Sequence, residues 1–390
     1  MANIIDYIAW RGDIPVAQVP IGEVDALVLS YLSYMPYEQI ADGACAGAGV
    51  TLREAAQALL ERGLFSLAMM ESTRMDRLLL EAVAGSVRFG AMRVCGYVSH
   101  VDDAAEQQFS AVTFIPESGP AFIAFRGTDN TVVGWKEDFN MAFSGEVPSQ
   151  REAAAYLERA AQEHDGRFIL GGHSKGGSLA AYAAVFAVPD VKARVEEVYN
   201  FDGPGFNEAV FASQEFDEVD ARIHTFVPQT SVVGILLWHA EPFIVVRSDG
   251  VGPLQHNPYT WQLMGGSFIR VSERSSSSRL AEETIKRWLA GLAPQKRRQV
   301  IDGIYAVLSA SDGDDVASLF EPRNILAILR ALGDMDEETK TTITDAFRAL
   351  GTSLVETVPG FVDRAAEEIR QRTRRERTGQ ESSPPGTTNG

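Results

Sequence analysis

Apolar and polar positions along the first 85 residues recur at helical spacing. Thr51-Leu52-Arg53-Glu54 forms a capping box, in which a side-chain oxygen meets free helix N–H groups and a carboxylate reaches back. It opens a helix with Leu52, Ala55, Ala56 and Leu59 on one face, closed near Gly63. A second helix is predicted after Ser72, with Met75, Leu78, Leu79, Ala82 and Val83 inward. From Val87 the period changes to that of strands: Val87–Val101, Phe109–Ile115 and Ala121–Phe125 are short β-rich runs separated by Asp102-Asp103 and a Pro-Gly-rich break at 116–120. Helices and strands then alternate. Ser149-Gln150-Arg151-Glu152 reads as another capping box leading a helix to Glu163, followed by a buried strand at Arg167–Leu170 and an alanine-rich helix at Lys175–Val188. Strands at Glu197–Phe201, Ala221–Val227 and Pro242–Val246 complete the series. This order predicts an α/β fold with a mostly parallel central sheet covered on both faces.

The serine run Ser275–Ser278 marks the expected boundary between residues 1–274 and an all-helical extension over 279–377. A Gly/Ser/Pro/Thr tail over 378–390 lacks the apolar content to order itself. Arg370, Arg372, Arg374, Arg375 and Arg377 read as a solvated helix end or as a patch for a membrane surface or acidic partner.

Composition narrows the function classes. The 390 residues carry 53 Asp plus Glu against 35 Lys plus Arg, a net charge of −18. An acidic chain argues against nucleic acid as the main partner, because a phosphate backbone requires a basic surface. No apolar run reaches the ~18 residues of a membrane span, so membrane contact, if any, is expected to be peripheral. The start has no basic patch followed by an apolar stretch. Cys45 and Cys95, 50 residues apart with no zinc spacing, are expected to be free buried thiols in a reducing compartment, and a cytoplasmic location follows.

The chemistry concentrates in Gly172-His173-Ser174-Lys175-Gly176, a Gly-x-Ser-x-Gly pentapeptide between an apolar strand and a helix. That context is what a nucleophile elbow needs: a serine on a strained strand-to-helix turn, with glycines leaving room for neighbouring backbone. A glycine-rich turn with an incidental serine is the blander alternative.

A hydroxyl nucleophile needs a base. Of six histidines, His100 and His164 precede the serine, against the expected order of nucleophile, acid, histidine. His173 occupies a variable elbow position and is expected to point away. His224 in a strand and His239 after an apolar run read as structural. His256 lies in a loop after the last core strand, where a base reaches the sheet's C-terminal edge; a surface histidine in an Asn-Pro loop is the competing reading. For the acid, Asp202 follows the strand ending at Phe201, and Asp249 in Ser248-Asp249-Gly250 is its rival. Thr128, after Arg126-Gly127, and Lys175 supply candidate oxyanion N–H donors, although the former position also reads as a plain strand-to-turn junction. Residues Val132–Val147, with Trp135, Phe139, Met141 and Phe143, form either a cover over the site or a surface loop packing its aromatics on the core.

Arg126-Gly127-Thr128 followed by Gly-His-Ser-Lys-Gly-Gly resembles the class 3 (fungal triacylglycerol type) lipases of the α/β-hydrolase fold. Stretches like Ile5–Asp13, Gly134–Met141, Val227–Gly234 and Gln255–Trp261 resemble more closely a bacterial family of uncharacterised α/β-hydrolases related to those lipases. The resemblance covers about residues 1–272. It implies Ser174 as nucleophile, His256 as base, and Thr128 and Lys175 at the oxyanion positions. One departure concerns the acid, which class 3 lipases place near a segment like Phe226–Ser231. This chain has no carboxylate there, and Asp202-Gly203-Pro204-Gly205 instead resembles the acid region of pancreatic-type lipases.

The expected function is a serine ester hydrolase acting on lipid or other acyl esters, with no metal or organic cofactor implied. A non-catalytic hydrolase-fold scaffold, binding a partner through its helical C-terminal region, is the competing class.

Overall fold

The Asn3 side chain accepts from the backbone N–H of Ile5 and Asp6 while the Asp6 carboxylate accepts from the Asn3 N–H, and this cap opens helix α1 (Ile4–Arg11). Helix α2 (Glu23–Leu32) is buried almost throughout, because it lies across the sheet beneath the other N-terminal helices. The predicted capping box starts α3 (Leu52–Arg62), and Gly63 ends it with φ +65°, a conformation glycine adopts without penalty. Helix α4 is Thr73–Gly85. In this computed structural model the described residues are 1–272, apart from positions 48, 67–72, 130–131, 142–145, 207, 232–233, 235–242 and 251. The expected helical extension over 279–377, the tail over 378–390, the serine-run boundary and the arginine cluster lie outside them.

Eight strands form one sheet whose spatial order follows the chain: β1 (Val50–Thr51), β2 (Arg93–Asp102), β3 (Gln107–Ile115), β4 (Ala121–Phe125), β5 (Phe168–His173), β6 (Val195–Phe201), β7 (Ile223–Pro228) and β8 (Phe243–Val246). The pairs from β1 to β4 are antiparallel and those from β4 to β8 parallel. Every residue of β4 and β5 is buried, which is why these strands read as unbroken apolar runs. Alternate residues separate two cores. Phe114, Phe122, Ile169 and Phe201 face helices α1 to α4. Phe125, Phe168, Leu170 and Val198 face α7 (Pro148–Glu163) and α8 (Lys175–Phe186). The sheet is covered on both sides, as an α/β fold requires. Among the described residues no helix is long and apolar enough to cross a membrane.

Four expectations need correction. The run from Val87 does not begin as a strand: Ser86 caps a one-turn helix, α5 (Val87–Gly90), before β2. Helix α4 is rotated from its predicted face, with Asp76 fully buried and Leu78 exposed, because Asp76 accepts from Tyr259 at 2.7 Å and from Tyr31 at 3.4 Å. The cap of α7 is at Val147, whose N–H is taken by the Gln150 side chain, and Pro148 occupies the first turn.

Finally, Cys45 and Cys95 are not free thiols but a disulfide. The loop before β1 folds back along β2, with Gly96 N–H on Gly43 O at 2.8 Å and Tyr97 N–H on Ala41 O at 3.0 Å, so distant cysteines become neighbours. With both thiols paired, the two cysteines no longer point to a reducing compartment.

Candidate active site

Strand β5 ends at His173 and α8 begins at Lys175, leaving one residue to turn the chain. Ser174 does so at φ 57°, ψ −136°, a region that costs a non-glycine residue roughly 1–3 kcal/mol. The flanking glycines make the turn possible. A Cβ on Gly172 would lie 2.1 Å from the carbonyl carbon of Gly176, and one on Gly176 would lie 2.0 Å from Phe125 O. Ser174 N–H donates to Phe201 O at 2.9 Å, binding the elbow to the end of β6.

Asp202 is the first residue after β6. It too has positive φ (52°), which aspartate tolerates better than most residues, and it is fully buried. Its Oδ2 lies 2.7 Å from Nδ1 of His256, while Oδ1 accepts from Ser231 Oγ at 2.5 Å and Gly234 N–H at 3.2 Å. A carboxylate only accepts, so His256 Nδ1 carries a hydrogen and donates it to Asp202, which leaves Nε2 as the ring nitrogen free of this contact. Asp249 is elsewhere. It accepts from Gln262, lies 3.7 Å from the amino terminus, and is more than half exposed.

His173 does not point away. Its ring lies 4.4 Å from that of His256, and its Nε2 is 2.8 Å from His256 O. Burial, reinforced by the neighbouring His256, holds it well below the ordinary histidine range, so it is neutral. Nε2–H then donates to the carbonyl, and Nδ1 accepts from the Tyr34 hydroxyl at 3.2 Å. The other histidines are remote or outside the description: His224 pairs with Glu197 at 2.5 Å, His100 packs on Phe109, and His239 lies outside the described residues.

The Arg126-Gly127-Thr128 loop closes on the elbow: a Cβ on Gly127 would stand 3.0 Å from Ser174 Cβ. The Thr128 hydroxyl donates to Asp138 in helix α6 (Val132–Met141). Asp138 keeps 32% of its side chain exposed, yet burial of the carboxyl pushes its pKa up to about 6, against the opposing pull of Lys175 and Thr128. The Lys175 backbone N–H sits at the first position of α8, where no intrahelical acceptor exists. Its side chain is buried, with Nζ 2.9 Å from Glu137 and 2.8 Å from both Gln108 O and Gln108 Oε1. Arg126, also buried, pairs with Asp129 at 3.0 Å. Of the expected cover, residues 132–141 are helix α6 and Met141 is buried; Phe143 and the side chains of Trp135 and Phe139 lie outside the described residues.

The sequence profile of the Mbeg1-like family matches residues 83–306, more than half of the chain. The chain belongs to the Mbeg1-like family. No curated protein matches this Mbeg1-like chain. Among solved structures it is similar to that of M37 lipase, at 15% identity and a TM-score of 0.34, over 55% of this chain and 70% of that one.

In this Mbeg1-like protein the geometry brings Asp202 into contact with His256 and sets Ser174, Gly127 and Lys175 around one turn. Sequence reading missed Ser231, Tyr34, Glu137 and Asp138. Ser231 lies in the very stretch where the missing carboxylate had been noted, and it donates to the acid that stands elsewhere. Glu137 and Asp138 lie in the stretch Gly134–Met141 that carries part of the resemblance, but nothing in two adjacent carboxylates there points to the elbow.

Proposed function

We propose that this protein is a serine ester hydrolase of the α/β-hydrolase fold, acting on lipid or other acyl esters. The observation that carries the reading is the 2.7 Å contact between the buried Asp202 carboxylate and His256 Nδ1, beside a serine held at positive φ. His256 Nε2 accepts the Ser174 proton as Oγ attacks the acyl carbonyl, and the Asp202 carboxylate stabilises the imidazolium that forms. The backbone N–H groups of Thr128 and Lys175 receive the negative charge on the carbonyl oxygen. Collapse breaks the ester C–O bond, His256 returns the proton to the departing alkoxide oxygen, and the acyl group remains on Ser174. Water then adds through the same base, releasing the acid and restoring the hydroxyl.

A fluorophosphonate probe tests the reading. The expected result is covalent modification of the folded protein that is lost in Ser174→Ala, together with loss of turnover on p-nitrophenyl esters of graded chain length. Folded protein that takes no label overturns the reading and favours a scaffold, and a Ser174→Ala variant that keeps half the wild-type rate removes Ser174 from its role.

A further inference from the structure

We infer that the Lys175 side chain and Glu137 are positioning residues: their buried pair fixes helix α6 to the elbow, so that one helix sets both backbone donors of the oxyanion site. The inference rests on the hydrolase reading above.

The position after the serine owes that site only its backbone N–H, and any residue but proline would supply one. Here it carries a lysine whose side chain is 1% exposed, facing a Glu137 that is 0% exposed. The three bonds from Nζ use all the donors an ammonium has, so none is left for a substrate. Glu137 is as fully used. Its Oε2 also accepts Gln108 N–H at 3.0 Å, and its Oε1 accepts Ser149 N–H at 3.0 Å. Strand β3 and helices α6, α7 and α8 thus meet at one carboxylate. Replacing a buried ion pair by apolar side chains is often neutral or stabilising, so stability alone is a weak reason for a pair at this position. What it fixes is direction. Glu137 grips the residue that bears one donor, and the adjacent Asp138 grips the hydroxyl of Thr128, which bears the other. Without the lysine bond, α6 keeps its hold on Thr128 but loses its reference to the elbow.

The test uses the full chain carrying Lys175→Met/Glu137→Gln, which removes both charges at nearly constant volume, with Glu137→Gln alone, which keeps an oxygen acceptor for the lysine but takes away its counter-charge, as the second variant. Active sites are first counted by fluorophosphonate titration, and turnover is then expressed per titrated site. A displacement of an ångström in a catalytic group costs on the order of 100-fold. The expected result is a loss of ~10–100-fold in kcat per site with KM within ~threefold, and a parallel slowing of the labelling reaction, in which negative charge grows on the phosphoryl oxygen as Ser174 displaces fluoride. Glu137→Gln should fall between this variant and the wild type. Wild-type kcat per titrated site, or a loss confined to the titrated fraction, overturns the positioning role and leaves the hydrolase reading standing. Failure of both variants to fold assigns the pair to structure and overturns it as well. A wild type that takes no label overturns the hydrolase reading itself, and the inference with it.

Discussion

Replacing Asp202 by asparagine is the sharpest single test of the proposed mechanism, because its surroundings dictate how the new amide must sit. Oδ1 of Asp202 accepts from Ser231 Oγ and from Gly234 N–H. The serine hydroxyl can rotate, but the backbone N–H cannot, so the oxygen of an asparagine is drawn to the Oδ1 position. Its NH2 group then occupies the Oδ2 position, 2.7 Å from His256 Nδ1, where a donor faces a donor. The imidazole resolves the clash by moving its proton to Nε2, the nitrogen required to receive the Ser174 proton. Two losses combine, the charge that stabilises the imidazolium and the correct tautomer. In a serine protease triad the same change costs about 10⁴ in rate, or ~5.5 kcal/mol of transition-state stabilisation. A fall of ~10³–10⁴ in kcat/KM on a short-chain p-nitrophenyl ester is expected, together with a change in the ¹⁵N resonances of His256 from the Nδ1–H to the Nε2–H pattern. Asp249→Asn is the matched control and should leave the rate within about threefold, since Asp249 bonds to Gln262 at the surface. An Asp202→Asn variant within tenfold of wild type, or an unchanged His256 tautomer, refutes the argument.

Two further outcomes follow from other parts of the molecule. Asp138, pushed up to about 6 by burial, keeps in the folded state a proton that the unfolded chain releases above about 4. Its contribution to stability therefore declines as pH rises from about 4 to 6, by at most ~3 kcal/mol and by ~1 kcal/mol once the exposure of a third of the side chain is allowed for. Asp138→Asn should flatten the urea-unfolding profile across that window, and parallel profiles would count against the assignment. The Cys45–Cys95 disulfide closes a loop of 50 residues, for which chain entropy gives ~4 kcal/mol, so Cys45→Ser should lower the urea midpoint visibly, with an m-value that rises as the unfolded chain loses its cross-link. An unshifted midpoint would show that the backbone bonds of Gly96 and Tyr97 already hold the loop in place.

The sheet was the most legible part of the chain. Buried parallel strands such as β4 and β5 are continuous apolar runs between turns, and a buried run tolerates few alternatives. Asp202 and His256 could be brought to the same sheet edge because strand ends and loop order are written locally. What escaped depends on contacts between segments far apart in the chain. The disulfide needed the fold-back of the loop before β1, which no spacing encodes. The rotation of α4 came from a carboxylate drawn inward by tyrosines from two other elements, against the usual rule that Asp faces water. His173 was placed outward on the general behaviour of that elbow position, and the Tyr34 hydroxyl that holds it inward comes from 139 residues upstream.

The polar ties of the N-terminal helices have a consequence for how the chain is made. Asp76 bonds Tyr259 across 183 residues, and Glu23 takes Phe268 N–H and the Arg270 guanidinium across 245 and 247. Ala2 O accepts Leu263 N–H at 2.9 Å, so the first and last described segments are bonded directly. Helices α1 to α4 leave the ribosome before the sheet does, and these particular partners of their carboxylates come more than 180 residues later. At ~5–20 residues per second, that delay lasts roughly 10 seconds or more. During it the early helices carry an apolar face without its sheet, and Asp76 has Tyr31 and Ser66 but not Tyr259. The bonds that tie these helices to the far end of the unit can therefore form only after synthesis has passed the His256 loop and reached Arg270.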